Sequence, residues 1–108
     1  MAIKISYEWC LETLDEYEPG KYDIVEPLFA DVGNKDYYTI EDLLKNMDGS
    51  LFQFGIKKWF YNTDWDEYDC QYIYLTKDKT FTNELPKYLL KKVLPYIDTI
   101  TKHPNFKE

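Results

Sequence analysis

The chain has 108 residues with a net charge of −7, and all 13 of its basic residues are lysines. Its length suits a single hydrophobic core, so one domain is expected over 1–102, with 103–108 a flexible tail. The acidity repels a phosphate backbone, the lack of arginine removes the bidentate fork preferred for phosphate, and no apolar run approaches the ~20 residues of a membrane span. Direct nucleic-acid binding and membrane insertion are therefore disfavoured.

Ile3 to Leu14 alternates, with Ile3, Ile5, Tyr7, Trp9 and Leu11 on one side and Lys4, Ser6, Glu8, Cys10 and Glu12 on the other. That period predicts a half-buried strand. Asp15 to Lys21 reads as a hairpin loop, because Pro19-Gly20 suits a type II turn. Tyr22 to Phe29 is a return strand, which Pro27 confines to a sheet edge since it cannot donate to a ladder. A loop over 31–38 contains Gly33-Asn34. Thr39 then caps a short helix with Asp42 as its reciprocal partner, and Ile40, Leu43, Leu44 and Met47 share a face up to Gly49.

Leu51 to Leu75 is the most aromatic stretch, and two strands are expected there around an acidic loop, Asn62 to Asp69. Phe52, Phe54 and Ile56 alternate against Gln53 and Gly55. The adjacent Lys57 and Lys58 break the pattern and predict a bulge or sharp twist. In the second strand Gln71, Ile73 and Leu75 oppose Cys70, Tyr72, Tyr74 and Thr76. A second helix begins at Thr82 or Asn83, with Leu89, Leu90, Val93, Ile97 and Ile100 as its apolar stripe, and Pro95 should kink or split it. The expected fold is α+β: an antiparallel sheet of about four strands with two helices on one face, in the order ββαββα. The uncovered face should carry a surplus of Tyr and Trp, a candidate interaction surface.

Through Asp48 the chain has 4 lysines against 12 acids, and the remainder has 9 against 8, so the first half carries the acidity. Glu8, Glu12, Asp15 and Glu16 read first as a solvated strand face. The sharper reading is an acidic surface that imitates nucleic-acid phosphates and occupies a basic groove on another protein, aromatic neighbours supplying affinity and the charges steering. Trp65 and Tyr68 stand in an acidic loop whose spacing does not match an EF-hand, so it reads as a solvated tip rather than a metal site. Trp65 either folds back as a lid or serves as an anchor for a partner. Cys10, Cys70 and His103 form no nucleophile with base and orienting group, and no carboxylate pair stands out among 20 acids. Neither catalytic, metal nor cofactor residues are assigned.

From Ser6 to Tyr17, followed by Tyr22-Asp23-Ile24-Val25, the chain resembles the opening of short uncharacterised proteins of marine bacteriophages, especially those infecting cyanobacteria. The resemblance covers about a fifth of the chain. It implies a phage-associated origin and an accessory role, and it transfers no catalytic residues.

The sequence therefore reads as a small acidic accessory protein that binds another protein, or itself as a homodimer, through Glu8, Glu12, Asp15, Glu16, Trp65 and Tyr68. Unpaired cysteines and an N-terminus without an apolar leader core place it in the cytoplasm, that of the host cell if phage-encoded. Two alternatives stand beside this: a small-molecule-binding or enzymatic domain with a cleft between sheet and helices, and a self-assembling structural component.

Overall fold

The computed structural model describes residues 3–32 and 39–108, so most of the loop expected over 31–38 lies outside the described residues. The elements are β1 (Ile3–Glu18), β2 (Lys21–Asp31), α1 (Ile40–Leu44), β3 (Phe52–Asn62), β4 (Glu67–Tyr74) and α2 (Lys87–Thr101). The strands form one antiparallel sheet in the order β2-β1-β3-β4. The fold is thus the α+β arrangement that the sequence predicts. Two hairpins are joined through their first strands, and the edge position of β2 is the one Pro27 requires.

The β1–β3 pair runs without a slip from Ile3 opposite Asn62 to Thr13 opposite Phe52. That register places Trp9, Leu11, Phe54 and Ile56 on one face, where they join Ala30 of β2 and Ile73 and Leu75 at the β4 end in a single core. Trp9 and Phe54 stack with ring centroids 6.0 Å apart. Leu43 and Met47 from the α1 region and Leu89, Val93, Ile97 and Ile100 from α2 close over this face. The α1 N-terminus is held by the predicted capping box. Thr39 accepts from the Asp42 amide, and Asp42 accepts from the Thr39 amide at 2.8 Å, which holds the Asp42 carboxyl below its usual range.

Five local expectations are corrected. β1 continues to Glu18, and the hairpin turn shrinks to Pro19-Gly20, with Gly20 at φ +79. The acids of this stretch point to water, so strand pairing costs them no solvation, and Glu18 also pairs with Lys21 at 3.1 Å. β3 has no bulge at Lys57-Lys58, because the two side chains simply take opposite faces. α2 starts at Lys87, since the Thr82 amide is bound to the Tyr74 carbonyl, and its hydroxyl to the Tyr74 amide, on the edge of β4. The helix then runs through Pro95 unbroken. Pro95 lies on the solvent side of the helix. Leu90, expected in the stripe, sits at its exposed flank.

The tail is packed, not free. The Phe52 amide donates to the Asn105 carbonyl at 2.9 Å, and the Lys107 amide donates to the Phe52 carbonyl at 2.7 Å, so the terminus lies parallel to the start of β3. Phe106 is buried against Phe52. The Asn105 side chain donates to the Met47 carbonyl, while the Asn105 amide donates to Nδ1 of His103, whose Nε2 is 2.8 Å from Asp48. The apolar area of Phe106 offsets the entropy of ordering these residues. Replacing Phe106 with Ala should therefore lower unfolding free energy by about 3 kcal/mol, read as a reduced urea midpoint at unchanged slope. A flexible tail would show no change.

Candidate functional site

Side chains alternate across a sheet, so the face opposite the helices is set by the same register. Three cross-strand rows define it: Glu8, Lys57 and Tyr72; Cys10, Gly55 and Tyr74; and Glu12 beside Gln53. Phe29 of β2 lies next to Cys10, and Trp59 and Tyr61 of β3 with Tyr68 and Cys70 of β4 extend the face toward the β3–β4 turn. Six of these twelve side chains are aromatic, which gives the open face its character.

Its centre is a satisfied polar network. Glu12 is only 3% exposed. Its Oε1 accepts from the Gln53 amide at 2.7 Å and from the Tyr74 hydroxyl at 2.8 Å. Tyr74 stands on β4, two strands from Glu12, and it reaches across because Gly55 puts no side chain between them. Burial first, then the hydrogen bond to Glu12 and the charge of Glu12, push the Tyr74 hydroxyl far above the ordinary tyrosine range. Cys10, 1% exposed, has its thiol pushed up to about 12, chiefly by burial and then by Glu12, with Lys57 opposing. It stays a thiol and is no nucleophile.

Beside this network the lysine of the Glu8–Lys57–Tyr72 row is caged by rings. Lys57 Nζ lies 4.0 Å from the Trp59 ring centroid, 5.1 Å from that of Phe29 and 5.3 Å from that of Tyr72. The Trp59 indole N–H donates to Glu8. Farther out, Tyr61 and Tyr68 pack at 4.5 Å, Tyr68 meets Trp59 edge-on at 6.5 Å, and the Tyr61 hydroxyl donates to Asp66. At the end, Trp65 and Tyr68 are 71% and 72% exposed.

The predicted residues thus fall into three groups. Glu12 is not a steering charge, because the structure buries it under Tyr74 and Gln53, and Glu8 is occupied by Trp59. Asp15 and Glu16 are exposed at the far end of β1, on the order of 40 Å along the strand from the residue paired with Asn62. Trp65 and Tyr68 are exposed at the near end, so Trp65 is not folded back as a lid. Trp59, Tyr61 and Lys57 escaped the sequence reading. The signal that would have found them is the period of two carried straight through Lys57-Lys58. Among the described residues no group of three or more His, Cys, Asp or Glu is arranged to hold a metal ion, and no helix is long and apolar enough to cross a membrane. No family model, curated protein or solved structure matches the chain.

Two outcomes test this geometry. A Cβ at Gly55 would stand 2.3 Å from the Ile73 carbonyl oxygen, so Gly55→Ala should cost at least about 2 kcal/mol in denaturant unfolding. In thiol titration at pH 8 the native protein should show one reactive cysteine, Cys70, with Cys10 reacting only after denaturation. Two equally fast thiols would contradict the buried network.

Proposed function

We propose that the protein is a non-enzymatic accessory binding protein, acting in the cytoplasm on another protein through the aromatic-acidic end of its open sheet face. One observation carries this reading: Trp65 and Tyr68 are more than two-thirds exposed, side by side with Asp64, Asp66, Glu67 and Asp69 at one hairpin end. Large rings left in water are unfavourable for an isolated chain, and they are the residue types that anchor interfaces when a partner covers them. The catalytic alternative draws no support from the buried centre of the face, where the thiol is protonated and the carboxyl oxygen Oε1 of Glu12 already accepts two hydrogen bonds.

The test is affinity capture from a lysate of the natural cell with wild-type protein and with the doubly substituted Trp65→Ala, Tyr68→Ala form. Both residues are exposed, so the variant should fold normally. A partner retained by the wild type and lost by at least tenfold in the variant, equivalent to about 1.4 kcal/mol, is the expected result. Equal recovery by both would refute the reading.

A further inference from the structure

The chain itself shows what its open face attracts. Lys57 projects into a cage of Trp59, Phe29 and Tyr72, with Glu8 paired opposite it in register, so a side-chain cation is already held by ring faces there. The next step outward along β3 and β4 repeats the rings, with Lys4 of β1 paired to Tyr61 in register. Tyr61 and Tyr68 pack at 4.5 Å, Trp59 borders them, and Trp65 stands at the turn. From Trp59 to Thr76 the sequence contains no lysine, while Asp64, Asp66, Glu67 and Asp69 fall within it. Among the described residues no lysine forms an ion pair with any of these four acids. Ring faces are electron-rich and attract cations, and uncompensated carboxylates raise the local concentration of positive charge.

From this, and resting on the protein-binding reading above, we propose that the Trp59–Tyr61–Tyr68 cluster with Trp65 is the docking surface for a cationic, arginine-bearing segment of the partner. Arginine fits better than lysine, because a planar guanidinium stacks on tyrosine and tryptophan faces while its N–H groups reach the Asp66 carboxylate, which already lies against the Tyr61 hydroxyl. The chain has no arginine of its own to compete for the surface.

Calorimetric titration with a short peptide of alternating glycine and arginine, beside its lysine and glutamate counterparts and spermidine, tests this. The arginine peptide should bind best, the glutamate peptide should not bind, and affinity should fall with rising salt. Tyr68→Ala and Trp65→Ala should each weaken binding about fivefold. Neutralising the tip (Asp64→Asn, Asp66→Asn, Glu67→Gln, Asp69→Asn) should weaken it more than the same number of changes at the far hairpin end (Asp15→Asn, Glu16→Gln, Glu18→Gln, Asp23→Asn). Equal losses from both sets would mean attraction to net charge alone and would overturn the inference. So would unchanged binding in Tyr68→Ala and Trp65→Ala, or spermidine binding as tightly as the peptide. If lysate capture depends on Trp65 and Tyr68 while no cationic peptide binds, the proposed function stands and this inference falls.

Discussion

A tyrosine hydroxyl reaches a carboxyl group two strands away only if the strand between them leaves the path clear. In this sheet the clearance is Gly55, and the hydrogen bond from Tyr74 to Glu12 passes over it. Much depends on that crossing. The Tyr74 ring helps roof the face that the helices leave uncovered, so Cys10 and Glu12 are shielded without a second layer of structure. Because Gln53 and Tyr74 both donate to Glu12, burying the acid costs less than its charge alone would demand. The polar network also ties three strands together independently of the backbone ladders.

The face consequently divides into two regions of different chemistry. Toward the middle, Glu12, Gln53 and Tyr74 satisfy one another and the lysine is enclosed by rings, so this part serves to hold the sheet. Toward the β3–β4 turn, Trp65 and Tyr68 stay largely exposed among Asp64, Asp66, Glu67 and Asp69. Rings are the side chains that anchor interfaces, which is why the proposed docking end is this one and not the merely charged end of β1.

Much of this was legible in the sequence. Alternation gave the central strand its buried face at Trp9 and Leu11, although Ile5 of the same set is exposed toward the strand's outer end; the Thr39/Asp42 spacing marked the cap, and Pro27 marked an edge. The departures share a cause: local residue chemistry was weighted above the reach of the sheet. Asp15 to Glu18 looked like part of a loop because Pro19-Gly20 marks a turn just beyond it, yet an edge hairpin exposes both its faces and lets acidic strands run up to the turn. Lys57 and Lys58 looked like a break because charge was equated with solvent, whereas a lysine can rest its stem and ammonium on rings. Glu12 shared a period with solvated acids, and nothing local distinguished it. Its burial depends on Tyr74, 62 positions later. The tail was misjudged for the same reason, since its partner, Phe52, is remote in sequence.

The C-terminal strap leaves one further mark on the molecule. His103 is the only histidine in the chain, and the Asn105 amide donating to its Nδ1 places the ring proton on Nε2, toward Asp48. A single imidazole therefore senses both the strap and the turn after α1. Its magnetic resonance signal is an unambiguous, label-free reporter of whether the last segment of the chain is seated.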